Sequence, residues 1–415
     1  MAMTDISDDV VIDILPRLPV KSLMRFNSVC KAWHALFRNP DFISMHSVKR
    51  AALCKSNTPL LVKRGAHGEN CLTFISSTAN HDGSEKTLWI KEIIYLPIGW
   101  NLLSNPRVVG PCNGLLCLFE HTNPVKIVLW NPATREFKPL PLAPIENDDS
   151  SSTQITFCEE VGFGFDSKSN DYKVIMFISD LKGGRRRLRR AELYSLKRDC
   201  WKEIPSWRGI LPAADDIVFD VRLSSLYVDG VYYWLMVGDH TDWIMSFNMA
   251  DEVFDIMPLS NFSVSIADEV FERTGMPASS RRGRYRTTLA ILDGSIHAFL
   301  YPRSYSFEDY FVYIWVMTEN GVKESWIKQA RIGPISRDHL PVGFWESGEL
   351  CLEDSIGKLV LYDPGTQKVK NLKLHGVKYR LLPANYAESL VFINGRGEDE
   401  DKPIIRVRYR TVISS

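Results

Sequence analysis

Residues 130–141 read WNPATREFKPLP, and this stretch decides the architecture. A strand that runs into a turn at Asn131 and resumes at the hydrophobe Phe137, six residues on, is the outline of a β-hairpin. The same spacing recurs from Ser195 to Trp201, Asn248 to Phe254, Val316 to Val322 and Asp363 to Val369. In the first three a proline comes four residues later, at Pro141, Pro205 and Pro258. The anchors lie 64, 53, 68 and 47 residues apart, the size of a four-stranded unit with variable loops. A second repeated element, a Gly-containing turn followed by a strand, appears in CNGLLCLF from Cys112, VDGVYYWL from Val228, LDGSIHAF from Leu292 and ESGELCLE from Glu346.

A string of such units must close, because an open array leaves unpaired edges and an uncovered face at each end. Five anchored repeats, plus a blade assembled from strands near Leu60 to Ile75 and Leu390 to Ile393, predict a β-propeller of about six blades. Short alternating strands also fit a β-sandwich or a pair of smaller sheets. The fold class is mainly β, with the propeller over residues 55–400.

The first fifty residues follow a different rule. Ser7 fits an N-cap, Asp8 and Asp9 favour the first turn, and Val10, Val11, Ile14 and Leu15 form an apolar face that Pro16 ends. Pro19 can open a second helix, after which Leu23, Phe26, Cys30, Trp33 and Phe37 recur at steps of three and four until Pro40. Asn27 and Ser28 can divide this run into two helices or leave it whole, so the module over 5–48 holds two or three helices. Some forty residues cannot bury so many large apolar groups against themselves, so some face a partner or the next domain. A helical cap on the β domain is the simpler alternative.

The 415 residues carry 50 basic and 50 acidic side chains, so there is no global electrostatic case for nucleic acid or an anionic membrane. Asp5, Asp8 and Asp9 interrupt the place where a secretory signal core is needed, and no apolar run approaches the roughly 20 residues that span a bilayer. Eight scattered cysteines without metal-type pairing then read as reduced thiols in cytosol or nucleus. Cys112 and Cys117 read as buried free thiols rather than zinc ligands. The GFG at 162–164 lacks the third glycine and the helix of a dinucleotide fingerprint; Asp166 with Asn170 reads instead as a strand entering a turn. None of the nine histidines sits in a nucleophile or zinc motif. These readings predict no cofactor, no metal and no catalytic residue.

The run VVIDILPRLPVKSLMRFNSVCKAWHALFRNPDFI, from Val10 to Ile43, resembles the F-box of plant F-box proteins, departing from it where Ile6 and Ser7 stand in place of the usual opening Leu-Pro. The resemblance implies a Skp-type adaptor as partner, with the cullin and the RING subunit reached through it. It also implies adaptor-facing or supporting roles for Leu15, Leu18, Pro19, Leu23, Phe26, Val29, Cys30 and Trp33. WNPATREFKPLP and VGFGFDSKSNDYKVI (161–175) resemble the F-box-associated domain of plants, a kelch-like interaction domain. Within it, IWVMTENGVKESWI (314–327) and NLKLHG (371–376) are similar to S-locus F-box proteins, the pollen determinants of gametophytic self-incompatibility. That similarity implies S-RNases as substrates and a pollen-tube cytosol setting.

The charged stretches are ambiguous. KGGRRRLRR (182–190) and RRGRYR (281–286) read first as exposed interstrand loops, and otherwise as partner contacts, import signals or phosphate-binding patches. Glu146, Asp148 and Asp149, and in another loop Asp215, Asp216 and Asp220, are suited to a basic partner. The expected target-binding positions are therefore Glu146, Asp148, Asp149, Asp215, Asp216, Arg185, Arg186, Arg281 and Arg282. Taken together, the residues and the resemblance point to a non-catalytic substrate receptor of a ubiquitin ligase. The alternatives are a receptor for a different plant protein target, a kelch-type oxidase with a metal on the propeller axis, and a nucleic-acid binder.

Overall fold

A computed structural model describes residues 12–54, 58–66, 69–79, 86–96, 106–121, 125–143, 156–182, 185–211, 218–219, 225–238, 242–259, 285–302, 309–345, 348–375, 381, 383–393, 396–397 and 411–412. A 3₁₀ turn at Leu15–Arg17 leads to α1 (Val20–Phe26), α2 (Lys31–Leu36) and α3 (Pro40–Cys54). Pro19, with φ at −58°, stands just before α1, and the chain breaks between α1 and α2 at residues 27–30, where the sequence allows a division. Pro40 opens α3 instead of ending the helical run. It lacks the N–H that the first turn leaves unpaired anyway, and Asn39 Oδ1 accepts the Asp41 N–H at 2.8 Å. The third helix runs to Cys54, past residue 48.

Six antiparallel sheets follow. The first combines Pro383–Asn385 with Leu60–Ala66, Glu69–Ala79, Lys86–Tyr95 and Thr411–Val412. The second holds Arg107–Cys112, Leu115–Glu120, Lys126–Asn131 and Glu136–Pro139, with Arg396–Gly397 along its outer edge. The third is Thr156–Asp166, Asp171–Lys182, Arg185–Ser195 and Cys200–Glu203. In the fourth, Ser225–Val228 and Val218–Phe219 both pair with Val231–Val237, and Asp242–Asn248 and Val253–Pro258 complete it. The fifth is Tyr285–Leu292, Ser295–Pro302, Asp309–Met317 and Trp326–Ser336; the sixth is Leu340–Phe344, Leu350–Glu353, Lys358–Asp363 and Lys368–His375. The innermost strand of each sheet touches that of the next, and 383–385 touches both 340–344 and 107–112, so the ring is closed. This is a six-bladed propeller preceded by helices, as the repeat spacing predicts.

The ring closes through a different segment from the one expected. Pro383–Asn385 pairs with Leu60–Val62 as the inner strand of the first blade, whereas residues 386–393 belong to no sheet. Leu390 is apolar because it is buried in the helical core, and Ile393 and Val391 because they pack against the propeller core, not because any of them pairs in a sheet.

The anchor motif is a turn with a defined mechanism. Asn131 Oδ1 accepts the N–H groups of Ala133 and Thr134, Asn248 Oδ1 those of Ala250 and Asp251, and Asp363 Oδ1 those of Gly365 and Thr366. Four residues after each anchor the backbone enters the left-handed region, at Arg135 (φ 68°), Glu252 (φ 56°) and Gln367 (φ 56°). The next residue but one is the hydrophobe that resumes the sheet, with Trp130 opposite Phe137 and Phe247 opposite Phe254. The fifth blade departs from the rule: Val316 pairs with Ile327, and Val322 lies in an inserted segment with a 3₁₀ turn at Lys323–Ser325. The other repeat is a two-residue turn with both central φ values positive, at Asn113-Gly114, Asp229-Gly230 and Asp293-Gly294.

Of the basic run 182–190, Lys182 and Arg185–Arg190 are strand and not loop, while residues 183–184 lie outside the described residues. Asp171–Lys182 and Arg185–Ser195 are long strands in register, Arg185 opposite Lys182 and Arg186 opposite Leu181. Polarity misleads here because the far end of a paired strand needs no apolar face to continue its ladder.

Candidate functional site

Antiparallel order sorts the connections onto two faces. Turns between first and second strands and between third and fourth strands lie on one side; connections between second and third strands, and from one blade to the next, lie on the other. The helical module sits on the short-turn side, where Ala133 of the second-blade turn packs against its core.

That core comprises Leu15, Val20, Leu23, Phe37 and Phe42 together with Leu390. An aromatic chain leads outward from it: Phe42 to Phe37 at 5.5 Å, Phe37 to Trp33 at 6.2 Å, and Trp33 to Phe26 at 5.6 Å between ring centroids. The eight adaptor-facing or supporting positions therefore separate into three groups. Leu15 and Leu23 are interior, Leu18, Phe26 and Trp33 are half-buried, and Pro19, Val29 and Cys30 are exposed. Val29 is 61% exposed, high for an apolar side chain beside a ring pair. Ile12 and Ile14 are also exposed. Nothing in the sequence sets Ile12 apart from the apolar Val10, Val11 and Ile14 around it. Between them Asp13 bonds Lys49 at 2.8 Å and Arg17 at 3.0 Å, and these bonds hold its carboxyl below the usual carboxylate range. Asp13 thereby ties the start of the module to α3.

On the other face, Leu140–Ala143, Pro205–Leu211 and Leu259 lead out of blades two, three and four. Glu146, Asp148, Asp149, Asp215, Asp216, Asp220, Arg281 and Arg282 lie outside the described residues. Arg185 and Arg186 open the third strand of the third blade, at the end of the blade that lies toward the same face.

Other motifs resolve as structural. Gly162 and Gly164 lie on the innermost strand of the third blade, where an added Cβ would run into Trp234 and Tyr232 or into Tyr227 of the fourth. Asp166 Oδ1 accepts the Lys168 and Ser169 N–H groups, and Asn170 has φ 54°, the turn expected there. Cys112 and Cys117 are buried free thiols; burial pushes Cys112 up to about 12 and Cys117 higher still.

Comparison with known proteins agrees with this division. The model of the F-box domain matches residues 3–45, and that of the F-box associated beta propeller domain matches residues 69–393. An F-box/kelch-repeat protein of Arabidopsis thaliana is 26% identical over 85% of this chain and 85% of its own length. The F-box protein CPR1 of the same plant is 26% identical over 94% of this chain and 88% of its own. With helices that match the F-box and a ring that matches its associated domain, the chain belongs to the plant F-box proteins with an F-box associated β-propeller.

Proposed function

We propose that the chain is a non-catalytic substrate receptor of a cullin–RING ubiquitin ligase, working in the cytosol or nucleus. The observation that carries this reading is the surface left over once the helical core is closed. Val29 and Cys30 protrude beside the Phe26–Trp33 pair, and the propeller does not cover them. An apolar turn next to half-buried aromatic rings suits an interface hot spot, and the matching family implies a Skp-type adaptor as its partner. The opposite face of the ring, with its longer connections, then faces the target. Rigid blades with variable connections separate specificity from stability. The receptor's contribution to transfer is proximity: it turns an encounter between a target lysine and charged E2 into an effectively intramolecular one. Reconstitution tests the reading. Ubiquitin transfer is expected only with adaptor, cullin, RING subunit and E2 all present; turnover by the isolated chain overturns it.

For the target, we propose the S-RNases, on the strength of the two motifs at 314–327 and 371–376. Neither relative reported above is named for a pollen role, so this finer reading rests on those motifs alone. Acidic positions such as Glu146 and Asp215 favour encounter with a basic ribonuclease, while Arg281 and Arg282 oppose it. A pull-down against a panel of S-RNases decides the matter. Binding of some alleles supports it, and binding of none favours a receptor for another plant protein.

A further inference from the structure

The F-box core is completed from the far end of the chain. Leu390, fully buried, sits among Leu15, Val20, Leu23, Phe37 and Phe42. It belongs to Tyr386–Ile393, which leaves the ring-closing strand Pro383–Asn385 and enters no sheet. Extended chain outside a sheet must satisfy its polar groups elsewhere, and here the propeller supplies the partners. Tyr386 N–H donates to Pro59 O at 3.0 Å, and its hydroxyl donates to Gly114 O at 3.3 Å. Asn131 Nδ2 donates to Ser389 O at 3.1 Å and to Val391 O at 2.7 Å. Ile393 N–H donates to Glu136 Oε2 at 3.0 Å. Gly114, at φ 75°, leaves the segment its space: a Cβ there would lie 2.8 Å from Ala387 O and 2.5 Å from Ser389 Cβ. From the helical side, Arg50 of α3 pairs with Glu388 at 2.8 Å, and the Arg38 guanidinium lies 4.6 Å from the centre of the Phe392 ring.

We propose that Tyr386–Ile393 is a strap that locks the F-box in one attitude on the propeller, with Leu390 as its plug and Asn131 as the positioning residue that holds it. Covalently the two domains are joined only once, between Cys54 at the end of α3 and Leu60 at the start of the first-blade strand, and a single covalent crossing fixes neither the tilt nor the rotation of one body on the other. A second attachment, passing through the F-box core, removes that freedom. A target on the opposite face is then presented to the ligase in one position, the condition for effective intramolecular transfer. This benefit rests on the receptor reading, whereas the lock itself is a property of the isolated chain.

The molecule carries a suitable pair of reporter sites. Cys30 on the F-box and Cys200 on the third blade are exposed, while Cys71, Cys112, Cys117, Cys158 and Cys351 are buried. With Cys54→Ser in the background, nitroxides on Cys30 and Cys200 report the interdomain distance by pulsed electron paramagnetic resonance. The parent is expected to give one narrow population. Asn131→Asp keeps an oxygen to accept the Ala133 N–H but turns a carboxylate oxygen toward two carbonyls, so it releases the strap while keeping the turn. It is expected at least to double the width of the distribution, and Leu390→Ala to do the same, with the propeller's thermal transition retained. A broad population in the parent, or a parent-like narrow one in Asn131→Asp, overturns the lock. If Leu390→Ala unfolds the F-box, Asn131→Asp alone decides. An adaptor titration separates the two readings: failure of the parent to bind removes the receptor assignment and leaves the distance measurement standing.

Discussion

The joint between the third and fourth blades and the joint between the F-box and the second blade solve the same problem with different means. At the blade joint, backbone and rings interlock: Gly162 and Gly164 leave space that Trp234, Tyr232 and Tyr227 fill. Phe177 meets Phe219 at 4.9 Å, Trp234 at 5.3 Å and Phe254 at 5.6 Å. Across the same joint Lys173, which bonds Asp166 of its own blade at 2.8 Å, reaches Glu252 at 3.0 Å and the Met249 carbonyl at 2.7 Å. Among the described residues, the F-box joint has the buried Leu390, the half-buried Ala133, a cation over a ring and an ion pair that is partly in water. A joint that is continuous with the core resists opening in proportion to the apolar area it hides. A joint built on a single plug transmits orientation with little stability of its own. The difference teaches that the ring is the scaffold and the F-box is a fixture placed on it.

The comparison breaks most visibly at Phe177. Truncating it to Ala removes a ring with several aromatic neighbours and should cost about 3–5 kcal/mol of propeller stability, read from denaturant unfolding. A cost comparable to that of an exposed outer-strand substitution would show that the blade joint is not the scaffold described here.

Next in size is the outer side of the F-box. Val29→Asp places a charge in the proposed docking turn and should weaken adaptor binding by about 2 kcal/mol or more, roughly thirtyfold, with thermal unfolding unchanged. Trp33→Ala should lose at least as much binding but also lower F-box stability, because that ring packs on Phe37. Equal adaptor titrations for parent and Val29→Asp would place the docking surface elsewhere.

The glycines offer a smaller and more local test. Gly164→Ala forces Tyr227 or Met249 to move and should destabilise by about 1–3 kcal/mol, while leaving the Cys30–Cys200 distance narrow. Gly230→Ala makes a useful contrast: it meets no atom within 4 Å, so its cost comes from φ 85° alone.

The smallest effect is a pH dependence. Burial opposes ionisation of Asp166, yet hydrogen bonds from Lys173 and Ser169 outweigh it and hold the carboxyl at about 2. A pKa lowered by folding contributes stability above the unfolded value, about 4, that is lost as pH falls through the folded one. The difference in midpoint between parent and Asp166→Asn should therefore be constant above about pH 5 and shrink between pH 4 and 2. A difference that grows on acidification would contradict the ion network.

Much of the fold was legible because turns are local. Asn131, Asn248 and Asp363 each cap their own hairpin within three residues, so period and blade count can be read without knowing any neighbour. The errors arose where local pattern is degenerate. Arg185 and Arg186 look like loop because polarity does not distinguish a connection from the far end of a paired strand. Leu390 to Ile393 look like a strand because burial against helices, as at Leu390, or against the propeller core, as at Ile393, selects the same residues as burial in a sheet. The docking set was half legible: the helical periodicity marked Leu23 and Trp33 alike as apolar, without saying which faced inward.

The sequence by itself determined the helix-then-ring organisation and the turn chemistry, since each depends on residues close together in the chain. Only the tertiary structure decided that 383–385 closes the ring, that Leu390 completes a core more than 340 residues away in sequence, and that Val29 is left uncovered. Those outcomes depend on which distant surfaces meet, and side-chain period carries no information about the surface that arrives from elsewhere.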